Sequence, residues 1–301
     1  MHRDPGPPQT TEASPSSAGG GRTAAIGKIL LIPGRVKVSD MMGHHDYLAG
    51  CRLLAFLLEQ TAGVETVVGR DGWLTDEARF EDAQTVIFYA GGSRMKSILE
   101  SPHRLERIQQ LVDRGGGLVM IHQAVRCPPE FQNLATSWTG GVYVDGQSNR
   151  GHWPTRHSEF PEHPVTHGVE PWEITDGWHN RLQFVHGMRG VTPLLWSSAQ
   201  HRGSSAGGDA DVVAWTYERS AGGRAFGFTG LDAHSAWAVG GVRQMLVNAI
   251  LWSAGLTIPA QGAPCAVSSR ELESYLTPRS PGTAQVLKHW GRRLLGWERN
   301  D

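Results

Sequence analysis

The segment Lys28 to Pro33 is a short unbroken apolar run closed by Gly34, the pattern of a strand buried on both faces. The period then changes. From Tyr47 to Gln60 the apolar positions Leu48, Cys51, Leu54, Leu57 and Leu58 recur at helical spacing. Val64–Val68 and Thr85–Ala90 read as further strands, the second ending at Gly91-Gly92. A helix is expected from His103 to Arg114, with Leu105, Ile108, Leu111 and Val112 on one face, stopped by Gly115-Gly116-Gly117. Leu118–Ile121 follows as another buried strand. Strands and helices alternating over short connections predict an α/β fold: a flavodoxin-like, mostly parallel sheet with helices on both faces.

Beyond residue 125 the pattern loosens. Polar stretches rich in Trp, His and Pro separate short strands near Val191–Trp196, Val212–Tyr217 and Arg224–Thr229, which predicts long functional loops laid over the scaffold. Ser198–Ala210, rich in Ser and Gly, reads as a mobile loop. Val242, Met245, Leu246, Ala249 and Ile250 mark a closing helix that ends at Gly255. The expected organisation is a disordered leader over 1–26, one α/β domain over 27–256 and a C-terminal appendage over 257–301. Val286 to Trp297 in that appendage is a basic amphipathic helix, which suits packing onto the domain or contact with a partner or membrane surface. There is no internal repeat.

The chain has 301 residues, with 28 Lys+Arg against 29 Asp+Glu. That near-neutral balance argues against a nucleic-acid-binding surface, which needs a basic excess or stripe. Cys51, Cys127 and Cys265 form no CxxC pair, so neither a zinc ribbon nor a disulfide framework is indicated. No apolar run reaches the roughly 20 residues of a membrane span, and the leader lacks the apolar core of a secretory signal. A cytoplasmic location and a small-molecule substrate follow as expectations, with homo-oligomerisation left open.

Five predicted strand-to-loop junctions end on histidine or aspartate: Gly43-His44-His45-Asp46, Met120-Ile121-His122-Gln123, Arg150-Gly151-His152-Trp153, Thr175-Asp176-Gly177-Trp178 and Gly230-Leu231-Asp232-Ala233-His234. None offers a cysteine or serine nucleophile. In an open α/β sheet ligands bind beyond the carboxyl ends of the strands, so these side chains can converge. Gathered imidazoles and carboxylates suit a divalent metal or general acid–base chemistry near neutral pH.

The order of motifs resembles the trehalose-utilisation (ThuA-like) family, whose fold is similar to that of class I glutamine amidotransferases. The resemblance covers 27–275. It is carried by Gly43-His44-His45-Asp46 with Ala49-Gly50-Cys51, by Gly117-Leu118-Val119-Met120-Ile121-His122, and by Gly151-His152-Trp153. His163-Pro164-Val165-Thr166-His167-Gly168-Val169, Asp176-Gly177-Trp178, Val213-Ala214-Trp215, Gly227-Phe228-Thr229-Gly230 and Asn248-Ala249-Ile250-Leu251-Trp252 extend it. It implies a role in carbohydrate utilisation, in particular the handling of oxidised sugars. It also implies a divalent metal, zinc or manganese, on a cluster of His45, His122 and His152 with His234 completing it. The chain departs from the family pattern at four places. Asp40 and Asp232 stand where histidines are usual, Gly177 where an acidic residue is usual, and His179 where an aromatic residue is expected. A metal could persist with carboxylate oxygen in place of nitrogen, or the site could serve a different substrate, or it could have decayed. Glutaminase chemistry is disfavoured, because the strand Leu118–Ile121 runs into His122-Gln123-Ala124 where an amidotransferase has its nucleophilic cysteine, and Cys127 is followed by Pro128-Pro129.

Each candidate has a plainer reading beside the chemical one. His122 follows a buried strand and is either a ligand or a satisfied structural histidine; His45 is either a ligand or a neighbour of a helix cap. His44, beside it, should point elsewhere into solvent. Asp176 either caps its strand in an Asx-turn or orients a histidine as a catalytic group; Asp232 and His234 form a second catalytic or ligand pair. His163 reads as structural before Pro164, and His157, His167, His186, His201 and His289 as surface residues. Trp153, Trp178 and Trp237, with Trp138, are placed on the loop side, where indole faces could stack on a sugar or simply pin the loops; Trp215 and Trp252 read as core.

Overall fold

The computed structural model describes residues 27–35, 44–70, 72–197 and 211–276. The leader, Asp40, the Ser198–Ala210 loop and the Val286–Trp297 helix expected above lie outside them. In chain order the first half comprises β1 (Gly27–Pro33), α1 (Tyr47–Leu58), β2 (Val64–Val68), β3 (Thr85–Tyr89), α2 (Gly92–Leu99), α3 (Pro102–Asp113) and β4 (Gly117–Ile121). The second half comprises β5 (Arg126–Cys127), α4 (Gln132–Thr139), β6 (Gly141–Val144), β7 (Asn149–His157), β8 (Trp172–Asn180) and β9 (Gln183–Phe184). It closes with β10 (Val191–Ser197), β11 (Asp211–Glu218), β12 (Arg224–Phe228), α5 (Gly240–Ser253) and α6 (Ser269–Leu276).

The main sheet has the order β10-β11-β12-β4-β3-β1-β2. From β2 to β12 every pairing is parallel, and β11 and β10 continue as an antiparallel edge. The parallel part has the flavodoxin-type order 2-1-3-4-5, with β12 as fifth strand. Alternation along each strand divides the core. Ile29, Leu31, Ile87, Tyr89, Val119 and Ile121 face the layer of α1 and α5, whereas Leu30, Ile32, Val86, Phe88, Leu118 and Met120 face the opposite layer with α2 and α3. Burial on both faces is why these strands are uninterrupted apolar runs.

Helix α1 starts where the Asp46 carboxylate accepts the Ala49 amide at 3.0 Å, so Asp46, and not its neighbour His45, is the cap. Gly50 lets α1 approach closely, since a Cβ there would lie 2.6 Å from the Tyr89 ring and 2.9 Å from Trp237.

The region expected to be long loops is structured differently. β7 and β8 pair antiparallel over their full lengths as a ribbon, and β5, β6 and β9 form a second small sheet. His152 and Asp176 therefore lie on ribbon strands, and neither ends a strand of the main sheet. The start of the C-terminal appendage packs onto the domain. Leu272, Tyr275 and Leu276 of α6 lie against the α1 side of the core, and Gln60 exchanges hydrogen bonds with the Ala266 backbone at 2.7 and 3.0 Å. No helix among the described residues is long and apolar enough to cross a membrane.

Candidate functional site

Three loops at the carboxyl end of the sheet, after β1, β4 and β12, meet the β7–β8 ribbon. At their meeting point sits the Asp232 carboxylate. Oδ1 contacts Nε2 of His45 and lies 3.1 Å from Nε2 of His122; Oδ2 lies 2.6 Å from Nε2 of His152 and 3.2 Å from Nδ1 of His44. The Nε2 atoms of His45 and His122 are 3.0 Å apart. His122 Nδ1 donates to the Thr229 carbonyl at 3.1 Å, which fixes the ring and turns Nε2 toward the carboxylate. Two ring nitrogens facing each other at that distance need a proton or a cation between them.

The backbone is strained at this point. His45, His122 and Leu231 have φ of 55°, 58° and 72°, a region non-glycine residues enter at a cost of about 1–3 kcal/mol each. His122 takes this conformation immediately after β4, so a strained elbow is present and carries an imidazole. Cys127 lies further on, buried, its thiol pushed up to about 12 by burial. That placement agrees with the absence of a thiolate nucleophile in the sequence.

The loop bearing Asp232 is held by its own backbone. Asp176 is 1 % exposed and accepts the amides of Leu231 at 2.6 Å, Ala233 at 2.8 Å and its neighbour Gly177 at 2.8 Å. The Tyr89 hydroxyl donates to the Leu231 carbonyl at 2.8 Å, and the His45 amide to the Asp232 carbonyl at 3.1 Å. Burial works to raise the pKa of Asp232, but hydrogen bonds from His122, His45 and His152 outweigh it and hold the carboxyl far below the usual range. Next to the cluster is His179, buried with its ring against His122 and Tyr143, and neither of its nitrogens makes a hydrogen bond among the described residues. Burial first, then the neighbouring His122, pushes its pKa well below that of an ordinary histidine. The cavity over these groups measures about 550 Å³, and Arg150 and Gln123 also line it. That volume is in the range of small-molecule sites.

The sequence pattern of the ThuA family, described as trehalose utilisation, matches residues 35–253. This chain belongs to the ThuA family. A ThuA-like protein from Bacteroides uniformis superposes with a TM-score of 0.56 at 16% identity, over 76% of this chain and 92% of that one. A second, from Parabacteroides merdae, gives 0.53 at 15% identity, over 80% and 98%. At such identities the likeness shows the fold. No curated protein matches the sequence.

In this ThuA chain His45, His122 and His152 come together as expected, and Asp232 joins them as the shared partner. His44 joins too, against expectation: the left-handed turn at His45 brings both rings to one carboxylate. His234 does not take part. It is buried, with Nε2 2.7 Å from the Tyr275 carbonyl of α6, so the predicted fourth ligand is instead a contact to the appendage. Asp176, predicted as catalytic, is spent on backbone amides and does not line the cavity.

The tryptophans predicted to stack on a sugar are also reassigned. Trp237 is fully buried and Trp153 is half-buried with its indole N–H on Ser197 Oγ at 2.6 Å, so both pin structure; Trp178 is fully buried with its indole N–H on the Trp153 carbonyl at 3.1 Å, yet lines the cavity. Trp138 is buried within α4. His157, expected at the surface, is 5 % exposed beside Trp172, with its pKa pushed down to about 4 by burial. Tyr89, Gln123 and Arg150 were not singled out from the sequence. Tyr89 in particular is indistinguishable there from the apolar residues of its strand.

Proposed function

We propose that this protein is a metal-dependent enzyme acting on a carbohydrate or glycoside, an oxidised (keto) sugar in particular, by hydrolysis, elimination or isomerisation. The observation that carries this reading is the Asp232 carboxylate gathering imidazoles from three separate segments of chain, with His122 already oriented by Thr229. The donor set fits a divalent ion. His45, His122 and Asp232 offer two imidazole nitrogens and a carboxylate oxygen within 4.8 Å of one another, a donor set that suits zinc, manganese or iron. His45, His122 and Asp232 would hold the ion, which, when bound, polarises a carbonyl or hydroxyl oxygen. Arg150 at the cavity wall can orient an oxygen-rich substrate, and His179, which also lines the cavity, has ring nitrogens available to hydrogen-bond a substrate hydroxyl. The family's link to trehalose utilisation supports a sugar substrate. A cytoplasmic setting fits Cys51, Cys127 and Cys265 as free thiols.

The test is elemental analysis of freshly purified protein beside His122→Ala, followed by assays on a panel of 3-keto and unoxidised glycosides with and without chelator. Zinc, manganese or iron near one per chain in the parent, lost in the variant, with chelator-sensitive turnover, is the expected result. A protein without bound metal in every preparation, or one that binds sugars and never turns them over, defeats the enzyme reading.

A further inference from the structure

The imidazoles gathered at Asp232 are not equivalent. They divide into two triads that share Asp232: His45, His122 and Asp232 on the buried side, and His44, His152 and Asp232 on the exposed side, each with its ligand atoms within 4.8 Å of one another. One carboxylate oxygen serves each triad, Oδ1 the inner and Oδ2 the outer. We propose that this is a two-metal site in which Asp232 is the bridging carboxylate, with a second divalent cation bound by His44, His152 and Oδ2. The proposal rests on the metal reading above and goes beyond it in number, ligand set and order of binding.

Three features argue for a pair of ions. A single ion with bonds near 2.1 Å spans roughly 4.2 Å between opposite ligands, so it cannot collect donors that fall into two separate groups. A carboxylate with two imidazoles on each oxygen has the symmetry a bridge requires, and two-metal sites hold their ions roughly 3.5–4 Å apart, a separation one carboxylate spans. The room is also built for it. Gly177, on the ribbon strand beside Asp232, has no side chain, and a Cβ there would lie 2.6 Å from Asp232 Cβ and 2.9 Å from Oδ2. The absence of that side chain leaves Oδ2 open toward His152 and the cavity.

The two positions differ in strength. The inner ligands are nearly sealed, with the side chains of His45 and His122 at 16% and 2% exposure, and both sit on strained, fixed backbone. The outer ligands are loose, with His44 and His152 at 49% and 62%. One carboxylate offsets only one of the four charges that two divalent ions carry, so the outer ion needs a further anionic ligand from solution or substrate. The inner site therefore fills first and the outer one last, and a substrate that engages both ions presents anionic or paired oxygens to them.

The experiment uses the full chain, stripped with chelator and titrated with Mn²⁺, with bound metal counted after equilibrium dialysis and the Mn²⁺ EPR spectrum recorded. Two ions per chain are expected, the second at least tenfold weaker, with the isolated-ion six-line signal broadened as the second binds. His152→Ala and His44→Ala should each retain the tight ion, lose the weak one and keep the parent's melting temperature, since both side chains are exposed. His122→Ala should lose the tight ion. Saturation at one ion per chain overturns the two-metal site and leaves the single-metal reading standing; a weak ion that survives in both His152→Ala and His44→Ala overturns the proposed second site. Zero ions at millimolar Mn²⁺ overturns both.

Discussion

Replacing Asp176 with alanine separates a positioning role from a catalytic one. The carboxylate is 1 % exposed, and two of its partners, the Leu231 and Ala233 amides at 2.6 and 2.8 Å, belong to the loop that carries Asp232. Alanine leaves both donors without that acceptor in the interior, at roughly 1–3 kcal/mol each. Leu231, at φ 72°, is also freed to leave its strained conformation, which recovers part of the loss. The net cost is about 3 kcal/mol, which for a domain of this size lowers the melting temperature by roughly 6–12 °C. Relaxation of the loop also carries Asp232 away from His45 and His122. Asp176→Asn should fall between, because its carbonyl keeps one acceptor while its NH2 opposes a donor. The assay is thermal unfolding with excess chelator, which removes any contribution of bound metal, together with metal content without it. If Asp176→Ala melts like the parent and binds the parent's metal, the clamp has been misread; loss of turnover alone would then restore the carboxylate as a catalytic group.

Acid sensitivity should trace in part to His157, whose pKa burial lowers to about 4 against roughly 6.5 in the unfolded chain. Its contribution is complete above pH 6.5 and is lost as pH falls to about 4, about 3 kcal/mol in all; urea midpoints for His157→Phe should show that much less decline over this window, and an unchanged decline counts against it. Asp232→Ala should abolish metal binding while the domain still unfolds cooperatively, because the carboxylate lies on a loop and packs no core; elemental analysis and circular dichroism decide this. Gly177→Ala places a Cβ 2.6 Å from Asp232 Cβ, so it should cost about 1–3 kcal/mol and weaken metal binding at least tenfold; binding equal to the parent's would show that Asp232 can move without consequence.

The main sheet was legible because it is buried on both faces: β1, β3 and β4 are written as continuous apolar runs, and α1, α3 and α5 as helical repeats. The β7–β8 ribbon was not. β7 buries only Thr155 and His157, carries Pro154, and alternates polar residues on both faces, so nothing in its composition distinguishes it from loop. Helices α2 and α4 span eight residues each, too short for a period to stand out. At the site, His45, His122 and Asp232 were read from their placement at strand-to-loop junctions; His152 was read the same way, whereas it lies within β7. His234 was drawn in by the family resemblance and by sharing a loop with Asp232. The short helical turn over His234–Ala238 carries it inward, toward α6.

Gly177 and Asp232 are sterically coupled. With Asp232 where it lies, no side chain fits at 177: the Cβ alone would meet Asp232 Cβ, Cγ and Oδ2 at 2.6, 2.8 and 2.9 Å. An acidic residue on β8 and this placement of Asp232 therefore exclude each other. The carboxylate of this site therefore comes from the loop after β12 and not from the ribbon, and that decides what holds it. A residue on β8 would be aimed by strand geometry alone, whereas Asp232 is aimed by the Asp176 amide clamp, the Tyr89 hydroxyl and the His45 amide acting on residues 231–233. Three separate segments must then be in place before the carboxylate is. The strain at His45, His122 and Leu231 is held by this same network, so the site is ordered by the surrounding fold before any ligand arrives.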